Sequence, residues 1–176
     1  NINTSFKKFV PNEFIRIIEK QDVSELKLGD FTHKEMCILF SDIRSFTSMS
    51  EKMTPKECFE FLNDYLGKMG PIIRKNGGFI DKFIGDAIMA LFENSVDKAL
   101  VTAIEMQTTI SKINIQRQSL GLTPIKAGIG IHKGDMILGI IGENERFEGT
   151  VIADSVNTGS RIEELTKVYN SNILIS

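Results

Sequence analysis

One helix in this chain has its start written out residue by residue, and it stands between strand-like segments. Thr54-Pro55-Lys56-Glu57 puts threonine at the N-cap, proline in the first helical position and glutamate at the third, the spacing of a capping box. Phe61, Leu62, Tyr65, Leu66 and Met69 follow at helical spacing and form one apolar stripe. Gly70-Pro71 then kinks or ends the helix. A helix with one stripe to bury needs a layer to lie on, and the flanking segments predict a sheet.

Before the helix, Cys37 to Phe40 reads as a short strand, apolar throughout and so buried on both faces. After it, Gly77-Gly78 opens a hairpin, with strands over Phe79 to Lys82 and Ala87 to Phe92 and a turn at Ile84-Gly85-Asp86. Ser95 to Ile113 is a second helix, with Ala99, Leu100, Ala103, Ile104 and Ile110 on its inner side. A polar connection, Gln116 to Thr123, leads to strands over Ile125 to His132 and Met136 to Ile141, with Lys133-Gly134-Asp135 as the turn between them. A loop over Gly142 to Phe147 precedes Gly149-Thr150-Val151. Asp154 or Ser155 caps a third helix that runs to about Lys167, and Ile173 to Ser176 is strand-like again. The first part reads βαββαβ: an α+β plan with helices on one face of a mainly antiparallel sheet.

The remaining boundaries are coarse. Residues 1–32 form an N-terminal lead-in or coupling segment, in which Phe6, Phe9 and Val10 precede Pro11 and Asn12 caps a short helix through Ile18; residues 33–176 form one domain. The chain starts at Asn1 and stops within a strand-like run, so it reads as a piece of a longer protein, truncated at its C-terminal end. No apolar run approaches the roughly 18 residues of a membrane span, so any membrane attachment belongs to regions outside this sequence. A net charge of −2 leaves no basic footprint and argues against nucleic acid as a partner. Cys37 and Cys58 lack CxxC spacing and read as buried, reduced thiols of a cytoplasmic domain.

Three stretches carry chemistry. In Phe40-Ser41-Asp42-Ile43-Arg44-Ser45-Phe46-Thr47, a strand ends in an aspartate and turns into a short helix. The free N–H groups of that turn, at Phe46 and Thr47, suit phosphate while Asp42 suits a cation; the plainer alternative is that Asp42 caps the helix. In Asp81-Lys82-Phe83-Ile84-Gly85-Asp86, alternation puts Lys82 on the strand face of Ile80 and Ile84, where it either snorkels at an edge or reaches into a pocket. Gly85 permits the tight turn that points Asp86 back along the sheet, towards the end of the first strand. Two carboxylates at adjacent strand ends suit a pair of divalent cations. In Asp154 to Arg161, Asn157 and Arg161 lie four apart on one helix face, which suits a sugar and a phosphate, or else a solvated face with Arg161 paired to Glu163 or Glu164.

Taken in order, these stretches resemble the signature of class III nucleotidyl cyclases, the adenylyl and guanylyl cyclase catalytic domains. Met53-Thr54-Pro55, Gly77 to Lys82, Gly128 to His132 and Thr150-Val151-Ile152 match as well, and so do Phe9-Val10-Pro11 and Leu28-Gly29-Asp30 of the bacterial lead-in. The resemblance runs from about Glu35 to Ser176. It implies a ferredoxin-like βαββαβ core with additions and a head-to-tail homodimer with its sites at the interface. It implies that Asp42, Asp86 and the carbonyl of Ile43 hold two Mg²⁺ ions, with Mn²⁺ able to substitute. It implies that Arg161 stabilises the transition state and Asn157 orients the ribose, both from the other subunit. The product would be 3′,5′-cyclic AMP from ATP, with pyrophosphate released. Lys82 would donate to adenine N1, where guanylyl members tend to carry glutamate, and Thr150, a hydroxyl that accepts or donates, would meet the amino group.

Three departures stand out. Gly128 occupies a position where many members carry a phosphate-binding arginine, with Lys126 two residues further back. A second lysine that many members carry lies beyond this sequence. Ala153 replaces a common glycine. His132 reads as structural. The rival functions are a guanylate cyclase, a catalytically weak cyclase-like regulatory module, and a diguanylate cyclase, whose Gly-Gly-Asp/Glu-Glu-Phe run this sequence lacks.

Overall fold

A computed structural model describes residues 12–20, 23–93, 95–143 and 146–176. The lead-in residues Phe6, Phe9, Val10 and Pro11 lie outside the described residues. Within them, a short helix α1 (Asn12–Ile17) and a single 3₁₀ turn (Val23–Glu25) precede strand β1 (Phe31–Ile43). Then come α2 (Phe46–Ser50), α3 (Pro55–Lys75), β2 (Gly78–Ile84), β3 (Ala87–Glu93) and α4 (Val96–Ser119). The chain continues through β4 (Ala127–Glu143), β5 (Arg146–Ile152), α5 (Asp154–Val168) and β6 (Ile173–Ile175). The sheet runs β2-β3-β1-β4-β5, antiparallel throughout, with β6 added parallel to β4. The order β2-β3-β1-β4 is that of the ferredoxin-like core expected from the sequence.

The capping box forms as written. Thr54 Oγ1 accepts from Glu57 N–H, and Glu57 Oε2 accepts from Thr54 N–H at 2.7 Å. The helix does not stop at Gly70-Pro71 but continues to Lys75: Pro71 lies on the exposed face, where water can satisfy the carbonyl that loses its partner, and Met69, Gly70 and Ile73 stay buried against the sheet.

Two cores sandwich the sheet. On one face Cys37, Leu39, Ala90, Phe92, Ile129 and Ile131 pack against Tyr65, Met69 and Ile73 of α3 and Ala99, Ala103 and Met106 of α4. On the other, Met36, Ile38, Met89, Leu91, Leu138 and Val151 pack against Phe14, Ile17 and Ile18 of α1 and its extension. The two crossover helices share one face, as the βαββαβ plan requires, while α1 and α5 cover the second, where the sequence pattern placed none. Ile104 faces solvent at 52% exposure rather than the core, since Met106 and Ile113 turn inward in its place.

Two strand expectations change as well. The strand over Cys37 to Phe40 is 13 residues long, and Lys133-Gly134-Asp135 is not a turn but the middle of a 17-residue strand. Both follow from one fact: β1 and β4 pair without interruption from Phe31↔Gly139 to Ile43↔Ala127, and Glu35 bonds Lys133 across that middle at 2.6 Å. Gly134 serves close packing, since a Cβ there would overlap the Ser155 hydroxyl of α5. That hydroxyl donates to the Asp135 carbonyl, so neither Asp154 nor Ser155 caps α5; the N-cap residue is Ala153 and makes no side-chain cap. Cys37 is buried and Cys58 only partly so, both as free thiols, and burial pushes the Cys37 thiol up to about 11.

Candidate active site

Antiparallel pairing of β1 with β3 decides where the acids meet. Ser41 pairs with Ile88, so the end of β1 lies beside the tip of the β2–β3 hairpin. Gly85 turns that tip with φ at 63°. Asp86 then folds back, and its Oδ2 accepts a hydrogen bond from the Ile43 N–H at 3.0 Å. Burial first, and then the adjoining Asp42 carboxylate by hydrogen bond and charge, push the Asp86 carboxyl up to about 7. Two carboxylates forced together at the edge of a core offer hard oxygen donors to a cation. Among the described residues no cluster of three or more His, Cys, Asp or Glu forms a metal site, so a cation here would be held by this pair and by backbone or substrate oxygens.

Below the pair, Tyr65 is buried with its hydroxyl beside that of Ser41, whose hydrogen bond offsets part of the rise in the phenol pKa. Burial, helped by the charges of Asp86 and Asp42, raises the Tyr65 phenol to about 12. On the outer side, Lys167 Nζ lies 3.8 Å from Asp42 Oδ2. Lys167 was not foreseen, because it reaches Asp42 only through the docking of α5.

Lys82 and Thr150 also converge. The sheet curls until its outermost strands come within reach of each other: Lys82 Nζ on β2 lies 3.5 Å from Thr150 Oγ1 on β5 and 3.4 Å from Glu148 Oε1. A bulge aims the lysine. The β2–β3 register shifts between Ile80, opposite Ala90, and Lys82, opposite Met89. Ala90 and Met89 face the two different cores. Lys82 therefore shares a face with Ile84 but not with Ile80, contrary to simple alternation.

Phe46 and Thr47 sit at the first turn of α2, entered through a left-handed Ser45 at φ 59°. The Phe46 side chain packs into the first core and stacks on Phe61 at 6.1 Å, so only its backbone N–H faces the turn. Thr47 is exposed. Arg44 is structural: its guanidinium donates to the carbonyls of Thr166 and Ser171 and ties the end of β1 to the end of α5.

Asn157 and Arg161 stand on the exposed face of α5, and among the described residues neither forms a hydrogen bond or ion pair. The opposite face of the helix lies on glycines: a Cβ at Gly130 would strike the Glu163 backbone, and one at Gly128 would strike the Thr166 hydroxyl and the Glu163 carboxylate. The space that an arginine at 128 would need is filled by Glu163, 5% exposed, whose carboxyl burial pushes upward. Among the described residues, His132 forms a hydrogen bond with the Ser176 hydroxyl at 3.2 Å.

The family model of the adenylate and guanylate cyclase catalytic domain matches residues 30–176. The chain belongs to that family. The cyclase domain is 51% identical to an adenylate cyclase of Anabaena cylindrica over 98% of its own length and 35% of the relative's. It thus spans about a third of that curated protein. Among solved structures it superposes on the adenylyl cyclase CyaB from P. aeruginosa with a TM-score of 0.74 and 33% identity, covering 83% of this chain and 78% of that one. It superposes on the guanylyl cyclase Cya2 with a TM-score of 0.72 and 39% identity, covering 82% and 76%. The curled α+β sheet is thus the class III cyclase fold. Among the described residues no helix is long and apolar enough to cross a membrane.

Proposed function

We propose that this domain is an adenylate cyclase that converts ATP to 3′,5′-cyclic AMP and pyrophosphate as a homodimer with shared sites. One observation carries the reading: a single chain brings Asp42 to Asp86 and Lys82 to Thr150, yet leaves Asn157 and Arg161 exposed on a separate helix. Within one chain Lys167 is the cation beside Asp42, and among the described residues no hydrogen bond or ion pair joins Asn157 or Arg161 to the groups at the strand ends. Two copies placed head to tail supply each other.

Asp42 and Asp86, with the Ile43 carbonyl, would hold two Mg²⁺ ions, Mn²⁺ substituting, which when bound supply Lewis-acid activation of the ribose 3′-hydroxyl and neutralise charge at the α-phosphate. Everything else falls to the chain. Lys82 donates to adenine N1, and Thr150 accepts from the 6-amino group. The first-turn N–H groups of Phe46 and Thr47 face the phosphates. Asn157 of a second copy orients the ribose so that its 3′-oxygen lies in line with the departing pyrophosphate. Arg161 of that copy meets the charge that grows on the five-coordinate phosphorus. Residues 1–32 serve as a coupler from an upstream region, with Phe14 of α1 resting against Gly149, next to Thr150. The ATP would be that of the cytoplasm.

The test is cyclic nucleotide formed from ATP and GTP in competition, with Mg²⁺ or Mn²⁺, across a range of protein concentrations. Cyclic AMP should dominate, and the rate per chain should rise with concentration until the dimer saturates. Binding of both nucleotides without turnover would turn the reading to a regulatory module, and a dominant cyclic GMP product would turn it to a guanylate cyclase.

A further inference from the structure

Lys82 does not choose its own company. Asp81 is the extra residue of the β2 bulge, and its side chain is turned into the protein, 2% exposed. Its Oδ2 has no hydrogen-bond partner among the described residues. Burial pushes this carboxyl upward, and the Lys82 ammonium, 3.5 Å from Oδ2, opposes the rise. On the other side of the ammonium stands Glu148, whose side chain is 56% exposed and able to turn to water. One cation is thus wedged between a buried carboxylate and a solvated one. A third carboxylate at position 82 would face two like charges, one of them sealed away from solvent, and such uncompensated burial is strongly unfavourable.

We propose that Asp81 is a positioning residue that sets base choice through its neighbour: it fixes a cation at position 82 and thereby commits the domain to adenine, whose N1 accepts, over guanine, whose N1–H donates. The inference rests on the reading of Lys82 as the base-recognising residue. It adds that the identity of that residue is imposed by the bulge. Glu148 is the movable partner, displaced as the base arrives, and Asp81 the fixed one that holds the ammonium in the site while this happens.

The experiment uses five variants of the full chain: Asp81→Asn, Lys82→Gln, Lys82→Glu and the double variants Asp81→Asn with Lys82→Glu and Asp81→Asn with Lys82→Gln. Each is measured for Tm and for cyclic AMP and cyclic GMP formed from equimolar ATP and GTP. Lys82→Glu alone should lose at least about 6 °C in Tm and gain no GTP turnover. The double variant Asp81→Asn with Lys82→Glu should recover most of that loss and raise the cyclic GMP to cyclic AMP ratio by about tenfold or more over the parent. Asp81→Asn alone should raise the KM for ATP severalfold with kcat within about twofold, a split that a merely structural defect does not produce.

Should Lys82→Glu be as stable as the parent and turn to GTP without help from position 81, the inference is overturned. It is equally overturned if the Tm losses at 81 and 82 simply add. The underlying base reading fails by a different sign: Lys82→Gln would keep the parent's nucleotide ratio. If Lys82→Glu does not fold at all, Lys82→Gln with and without Asp81→Asn supplies the same Tm cycle.

Discussion

Replacing Asp86 with asparagine should stabilise the metal-free domain while abolishing turnover. Burial and the neighbouring Asp42 lift the Asp86 carboxyl from an ordinary 3.8 to about 7. At about 1.4 kcal/mol per decade, that displacement sets a ceiling of roughly 4 kcal/mol on what the ionised pair costs the fold. Asp86 is only partly buried, so solvent screens and relaxes much of this, and about 1–2 kcal/mol is the figure to expect. In a domain of this size that corresponds to a gain of about 2–8 °C in Tm. The substitution keeps the local fold, because the asparagine carbonyl still accepts from the Ile43 N–H that Asp86 holds at 3.0 Å.

The pH dependence gives the sign. Between about pH 4 and pH 7 the folded state holds a proton on Asp86 that the unfolded chain has released. Stability therefore falls as pH rises through that window, and the cost is fully present above it. The advantage of Asp86→Asn should be greatest at pH 8 in EDTA and shrink by more than half at pH 5, read by thermal unfolding. Adding Mg²⁺ at pH 8 should raise the Tm of the parent but not of the variant, since only the parent has both carboxylates to bind it. Equal melting temperatures at pH 8, or the same advantage at both pH values, would refute the claim that Asp42 and Asp86 repel across a shared site.

Other expectations follow from the same geometry. Mixing Asp42→Ala with Arg161→Ala chains should restore turnover to about a quarter of the parent rate, because half the dimers then carry one intact site; no recovery would speak against sites shared between copies. Thr54→Ala removes the cap oxygen that accepts from Glu57 N–H and should lower stability by about 1 kcal/mol in a urea titration, with kcat unchanged. Gly130→Ala drives a methyl group into the Glu163 backbone, so it should cost about 1–3 kcal/mol and lower kcat as well, because α5 carries Asn157 and Arg161 outward with it.

What the sequence made legible was local. The capping box, the Gly85 turn and the β2–β3 hairpin depend on residues within a few positions of each other, and each formed as its chemistry dictates. Asp42 and Asp86 were legible as a pair because an apolar strand and a tight hairpin leave few ways to arrange their ends. Most of the misreadings were non-local. Gly134 looked like a turn because nothing near it in sequence shows that Ser155 needs the space. Gly128 stands where Glu163 and Thr166 leave no room for a side chain, which nothing near it in sequence shows. Asp81 had no signal of its own; a bulge inserts one residue without altering composition, and only pairing with Ala90 and Met89 reveals it.

That bulge also bears on how much a motif can say about base preference. Relatives of comparable similarity are named for adenylyl and for guanylyl activity, so overall likeness does not divide the two. The residue at position 82 does divide them in chemical principle, because adenine and guanine present opposite hydrogen-bonding groups at N1. Yet a side chain chooses a base only if its surroundings tolerate its charge, and here those surroundings are a carboxylate sealed in β2 and another hinged on β5. Selectivity on this reading belongs to the electrostatics of three residues on two edge strands. Those strands meet only because the sheet curls, so changes that flatten the curl, even far from Lys82, should loosen base choice before they loosen metal binding at Asp42 and Asp86.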